Sequence, residues 1–529
     1  MTAAASMSVV AADHVYFSDP DVTAVLMDGA QVVATGTRRD IRRWGVQSGA
    51  VHDYGDATIL TGFVDAHSHP VYGARSARGI DMTDVRDLHA LHAHLQRARH
   101  ELRSGEWILG WGLRHDVWGA EPISSASIDA VVPDAPVLLR LFDAHSAVAN
   151  RVALHVAGIR TDGSRVAPEG VETDEAGRAT GVLQEPPVIE QVAKFAPEDP
   201  ETDVRERFVD TLNQMAASGL TAVHVMDFED DPAPLLRAIE DDQDLPVRLL
   251  FYPWIVPEHS EADWRSIVVR TGAGGRRWRR HGVKAFLDGT IDNGTAWLER
   301  SDAFGQSTSS IWADQDRYAR MIEFFAAHDV STATHAIGDQ AIRVAAQAIR
   351  SSSRSSGRAS HRIEHLELMS DEILDLVAAS GAIAGMQPMH CTEFTSGDRT
   401  DNWSRRLGDD RAALGWRTRS LLDRGAAIAL GSDWPVAPFE PLMVIASAIL
   451  RRSPEHGLKL PNNYAEALTL DQAIEAYTKP GVSTETPAGI LPGDVADLTI
   501  VAGDLRSVGA GGLAATPVLG TIIDGRPVH

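Results

Sequence analysis

The chain contains one cysteine, Cys391, among 529 residues. An internal disulfide is therefore impossible, and so is a cysteine-built zinc site. Lysine is nearly as scarce: Lys194, Lys284, Lys459 and Lys479 are four of the 49 basic residues. Positive charge is also in deficit, since the formal net charge is −24. Such a surface repels nucleic acid and anionic membranes, which bind through basic patches, and its plain role is solvation. No uninterrupted apolar run reaches the ~18 residues a membrane helix needs. The start, MTAAASMSVVAADHVYF, has no basic region before its apolar stretch and does not read as a signal peptide. A cytoplasmic location is expected, with no nucleic-acid or membrane partner.

What is present is an ordinary globular composition, 44% apolar and 23% charged. The length allows one large catalytic domain and at least one smaller one. The two ends look alike. AVLMDGAQVVATG (24–36) reads as a hairpin about Asp28-Gly29, and DLTIVAG (497–503) with TIIDGRPVH (521–529) repeats the pattern. Neither end has enough strands for a stable sheet. A composite β-sandwich from 1–57 and 480–529 is expected.

Between them, residues 58–479 alternate β-like and helix-like runs. The β-like runs are 58–66, 221–227, 246–253, 282–288, 330–336, 361–368, 381–388 and 426–433. Amphipathic segments at 317–329, 339–351 and 370–380 separate several of them. This alternation predicts parallel strands with crossover helices, and eight such units predict a closed (β/α)₈ TIM barrel. The interval 74–205 is too long for one connection and is assigned to an inserted subdomain, together with the strand-like PVLLRLFDAH (136–145). SSSRSSGRAS (351–360) reads as a flexible loop.

The strongest chemical signal is Asp65-Ala66-His67-Ser68-His69-Pro70 after an apolar run. Alternate residues of an extended chain share a face, so His67 and His69 can meet at one point and suit a Zn²⁺-like ion. His92 and His94 have the same spacing but lie in a predicted helix, where it does not converge. His335 and His365 end predicted strands, at the rim where such barrels place their chemistry. Asp433 follows the last strand; a carboxylate there needs a metal, a cation or hydrogen bonds, and it can serve as a general base. Lys284 sits in an apolar strand, as a partner for Asp288 or as a neutral amine able to take up CO₂ as a carbamate. Two metals about 3.5–4 Å apart would clamp and activate one water.

These residues, with GFVDAHSH (62–69), DAHSAVANRVAL (143–154), GVLQE (181–185), KAFLDGTIDNGTAWL (284–298), HAIGDQA (335–341), HRIEH (361–365), MQPMH (386–390), GSDWPV (431–436) and LPGDVADL (491–498), resemble the amidohydrolase superfamily. Within it they are similar to the family 3 branch that includes N-substituted formamide deformylases. The resemblance implies that the (β/α)₈ TIM barrel is distorted. It implies metal ligands at His67, His69, His335, His365 and Asp433, and a carboxylated Lys284. It implies one or two divalent ions, zinc foremost, although manganese, iron and nickel suit the same donors. The implied reaction is hydrolysis of a non-peptide C–N bond in a small amide or N-substituted formamide. Metal-activated hydroxide attacks, and Asp433 moves the proton to the leaving amine. Esterase, lactonase or cyclic-amide hydrolase activity would use the same metals, whereas a non-catalytic scaffold would lack ligands. His145, Glu185 and His390 fall in matching motifs as substrate contacts. Trp111 and Asp116, in LGWGLRHDVWG (109–119), and Trp434, beside Asp433, are further candidates for the pocket wall. The chain departs from the branch at GTIDNGTAW (289–297). A homodimer is the expected assembly.

Overall fold

The computed structural model describes residues 7–46, 50–103, 105–119, 121–142, 146–227, 232–352, 359–454, 460–479 and 489–529. His145, most of the 351–360 loop and the expected boundary at 480 lie outside the described residues. The chain forms two compact units, one from residues 1–69 with 209–529 and the other from 70–208.

Among the described residues, two parallel sheets of the first unit hold strands at or overlapping the eight predicted runs. These strands are β1 (Phe63–Ser68), β2 (Leu220–Val225), β3 (Arg248–Phe251), β4 (Gly282–Phe286), β5 (Ser331–Ala336), β6 (His361–His365), β7 (Ile383–Met386) and β8 (Ile428–Leu430). β1, β2 and β3 pair in parallel, and so do β4 through β8 in succession. At one seam Lys284 N–H donates to the Pro253 carbonyl (2.9 Å) and Ile255 N–H to that of Lys284 (2.8 Å). At the other, Asp433 N–H donates to the His67 carbonyl (2.7 Å) and His69 N–H to that of Trp434 (2.8 Å). The fold is a TIM-barrel-like α/β arrangement. Strands buried on both faces, such as Leu220–Val225 and Ile428–Leu430, read as apolar runs.

Helices follow from the same patterning. Gln315–Ala327 buries Tyr318, Met321, Ile322, Phe325 and Ala326, spaced as one helical face requires. The Asp314 carboxylate accepts from Arg317 N–H and caps its start. Asp371–Ser380 begins on a Ser370 cap and stops at Gly381, whose φ of 73° suits the left-handed C-cap position. His92 and His94 lie in the helix Leu88–Glu101.

One boundary needs correction. The run 58–66, read as the first barrel strand, is two strands belonging to two sheets. Ala57–Thr61 pairs antiparallel with Leu498–Ala502, whereas Phe63–Ser68 enters the barrel-type sheet. Gly62 is the pivot, because a Cβ there would lie 2.3 Å from the Thr221 side chain. The sheet containing Ala57–Thr61 also takes His14–Val15, Val518–Ile523 and Arg526–Pro527, so strands from both chain ends share it. A second sheet orders Gln31–Gly36, Ala24–Asp28, Met7–Ala11 and Val51–Asp53. Val10, Val25, Met27 and Val32 from this sheet pack with Ile59, Leu498, Ile500 and Ile522 from the other in one apolar cluster. A short strand at Trp278–Arg280, paired in parallel with β3, was not anticipated.

The second unit is built on a six-stranded sheet that includes Ile108–Leu113, Val137–Leu141, Ser146–Ala149 and Ala179–Gln184. The strand-like run at 136–145 is thus placed outside the barrel-type sheets. Leu91, Leu95, Ile108, Ile128 and Leu139 are among the buried residues of its core.

Candidate metal centre

The carboxyl ends of β1, β5, β6 and β8, with Lys284 in the middle of β4, bring together residues that the sequence singled out. His67 is the fifth residue of β1, and His69 follows one position beyond the strand. His335 and His365 come near and at the ends of β5 and β6. Asp433 lies three residues past β8. Two of these positions have left-handed backbones, with φ of 76° at His365 and 61° at Asp433. That region is sparsely used outside glycine, although His and Asp are among the types that enter it. The turn redirects each side chain just where its strand stops.

Asp433 is the hub. Its Oδ1 lies 3.1 Å from His69 Nε2 and 3.4 Å from His67 Nε2, and its Oδ2 lies 3.4 Å from His390 Nε2. Lys284 Nζ is 3.4 Å from His67 Nε2. The rings of His67 and His365 are 4.9 Å apart between centroids, and those of His335 and His365 are 4.4 Å apart. Ligand atoms of His67, His365 and Asp433 fall within 4.8 Å of one another and could hold a metal ion.

Burial decides the charge states. It pushes the His67 imidazole down to about 4, with Lys284 adding to the effect. It pushes His365 well below its ordinary value too, so both rings are neutral at pH 7 and free to donate lone pairs. Lys284, with none of its surface exposed, is lowered by burial to about 8. Burial opposes ionisation of Asp433, but its contacts with His67, His69 and His390, a hydrogen bond from His69 among them, hold its carboxyl well below the usual range. The donor set therefore fits a divalent ion: neutral imidazoles around a carboxylate. Among the described residues His365 Nδ1 has no hydrogen-bond partner, and a buried polar atom of that kind calls for a ligand.

Around this group lies a shell the sequence reading missed. His67 Nδ1 is 2.8 Å from Glu364 Oε2, and Arg362 Nε donates to Glu364 Oε1 at 2.7 Å. The signal was two charged residues inside the strand-like HRIEH run, a fully buried strand in the structure. Trp403 Nε1–H donates to Glu367 Oε2 (2.8 Å), and Glu367 Oε1 lies 3.9 Å from His390 Nδ1. Asp288 is not held by Lys284. Its carboxylate accepts from the backbone N–H groups of Trp297 (2.8 Å), Ile337 (3.0 Å) and Gly338 (2.8 Å). His335 Nε2 is 3.1 Å from the Gly289 carbonyl, so the divergent 289–297 segment reaches the site.

The remaining candidates divide by unit. Trp434 is half-buried, edge-on to Phe439, with centroids 5.9 Å apart. Trp111 lies in the strand Ile108–Leu113 of the second unit, and Glu185, at φ 75°, precedes the helix Pro186–Ala193 of that unit. The Asp116 side chain is outside the described residues.

A sequence model described as the amidohydrolase family matches residues 50–529. The chain belongs to the amidohydrolase family. This family member is 26% identical over 522 residues to the Bacillus subtilis (strain 168) protein named "Putative amidohydrolase YtcJ", covering 96% of each chain. It is 24% identical over 541 residues to the N-substituted formamide deformylase of Arthrobacter pascens, covering 95% of this chain and 94% of that one. Among solved structures, an uncharacterized metal-dependent hydrolase of Pyrococcus horikoshii OT3 superposes with a TM-score of 0.72 at 21% identity, covering 96% and 99% of the two chains. That likeness supports the fold.

The site is intolerant of added bulk. A Cβ on Gly431 would lie 2.6 Å from His67 N and 2.7 Å from His67 Cβ, and backbone cannot yield as a side chain does. Gly431→Ala should cost about 1–3 kcal/mol through overpacking. It should also reduce metal retention by displacing His67. Thermal melting and metal content of the purified variant check both effects.

Proposed function

We propose that this amidohydrolase-family protein is a metal-dependent hydrolase that cleaves a non-peptide C–N bond, with an amide or N-substituted formamide as substrate. In this reading the eight strands close as a distorted barrel, the two end sheets form a composite β-sandwich, and 70–208 is an insertion. The observation carrying the proposal is the placement of Asp433 Oδ1 against the Nε2 atoms of both His67 and His69, 3.4 and 3.1 Å away.

His67, His69, His335, His365 and Asp433 would hold the metal, with Lys284 as a carbamate ligand formed from its neutral amine and CO₂. A bound divalent ion, zinc in this reading, supplies a Lewis acid that polarises a carbonyl and makes water more acidic. The protein's own groups do the rest. The ionised Asp433 carboxylate accepts the proton of the attacking water and delivers it to the leaving nitrogen, as a general acid–base group does. His390 is steadied between Glu367 and Asp433 and faces the same space. Asp288 fixes the turn after His335 through Ile337 and Gly338 N–H, and fixes the 289–297 segment through Trp297 N–H. Trp434 contributes an apolar wall beside Asp433.

The test is metal content and turnover on one preparation, purified without chelator or histidine tag. About one to two metal equivalents per chain are expected. Chelation should abolish turnover, and zinc or manganese with bicarbonate should restore it. N-alkyl and N-aryl formamides, assayed by formate release, are expected to outperform esters, lactones and cyclic amides. Exclusive turnover of an ester or lactone would move the assignment to that bond. A chain that takes up no metal would remove the mechanism.

A further inference from the structure

We infer that Glu364, locked by Arg362, is a positioning residue that fixes His67 as its Nδ1–H tautomer and aims the bare Nε2 at the metal position. The inference rests on the metal-centre reading above and extends it to residues outside the ligand set.

The geometry places a proton on His67 Nδ1. Glu364 is fully buried and is gripped on both oxygens by one guanidinium: Arg362 Nε donates to Oε1 (2.7 Å) and Nη2 to Oε2 (3.2 Å). A carboxylate paired in this way is an acceptor only. Its Oε2 is also 2.8 Å from His67 Nδ1, so that nitrogen must donate. In a neutral ring the proton on Nδ1 leaves Nε2 as a lone pair. Nε2 is the atom that faces Asp433 Oδ1 and Lys284 Nζ, each at 3.4 Å.

The clamp also joins strands that do not pair with each other. Arg362 and Glu364 are on β6, whose sheet partners are β5 and β7, whereas His67 is on β1. Arg362 Nη2 donates to the Ala66 carbonyl (2.9 Å), and Nη1 is 3.3 Å from His224 Nδ1 on β2. One buried ion pair therefore sets both the tautomer of His67 and the spacing of its strand from β6. Outer partners of this kind orient ligand imidazoles, and losing them lowers metal affinity about 10- to 100-fold.

The experiment separates positioning from mere structural support. In R362M/E364M the ion pair becomes apolar. Removing both partners of a buried pair costs far less than removing one, so the metal-free protein should stay folded, with a modest drop in melting temperature from the His67 Nδ1–H and Ala66 carbonyl left without partners. Zinc affinity of the full chain should nevertheless fall about 10- to 100-fold. In R362M/E364Q the amide oxygen can still accept from Nδ1–H, and most of that affinity should return. Independently, ¹⁵N-histidine spectra of the metal-free wild type should show His67 protonated on Nδ1, with His67→Asn providing the assignment. An Nε2-protonated His67, or unchanged zinc affinity in R362M/E364M, would overturn the inference. If wild type takes up no zinc, the functional reading fails while the tautomer still decides this one.

Discussion

Asp433→Asn is expected to lower kcat by about 10²–10⁴, the usual share of a general acid–base group. The carboxylate oxygens lie within 3.1–3.4 Å of three imidazole nitrogens, those of His69, His67 and His390. Asparagine keeps the shape and one acceptor oxygen but presents an amide donor to that cluster and cannot carry a proton. The loss should therefore fall on kcat with little change in KM, the pattern of an interaction made only in the transition state. Metal content should fall partially, since the histidines remain. Kinetics on the best-cleaved formamide of the panel, with metal analysis of the same samples, check the prediction. An unchanged kcat would remove Asp433 from proton transfer, and a loss confined to metal content would make it a ligand alone.

Why these residues were legible, and others were not, follows from the range of the interactions involved. His67, His69, His335, His365 and Asp433 each lie at or just past the end of a strand-like run, and strand ends are readable from local pattern. Their convergence is a consequence of parallel pairing, which places every such end on one rim. The switch at Gly62 was invisible because the apolar run continues from one sheet into the next. Trp278–Arg280 was missed because its WRR composition lacks a strand pattern. The partnership of Glu364 with His67 spans 297 residues of chain, and no local pattern encodes it. The same holds for Asp288: its proximity to Lys284 in sequence suggested an ion pair, but backbone N–H groups from two loops occupy its carboxylate.

Lys284→Met is expected to make the metal-free protein more stable at pH 7 while removing the amine that the proposed carbamate requires. Burial lowers the Lys284 pKa from 10.5 to about 8. Below pH 8 the folded state must bury a protonated amine that the unfolded chain would hold in water. The penalty is thus fully present at pH 7, shrinks as pH rises from about 8 to 10.5, and is absent above that. The fall from 10.5 to about 8 corresponds to about 3 kcal/mol. Methionine fills a comparable volume without a charge, so the variant should gain stability at pH 7 and lose that advantage above pH 10. Denaturant unfolding of the metal-free wild type and variant across this window reads the difference directly. Function should move the other way: without an amine to react with CO₂, the variant should bind fewer metal equivalents, and bicarbonate should no longer raise its turnover. A residue that costs the empty fold stability and is required only when metal is present is retained for chemistry, as the trade-off between stability and activity predicts. Equal stability of the two proteins at pH 7, with full metal uptake by the variant, would instead make Lys284 an ordinary interior residue.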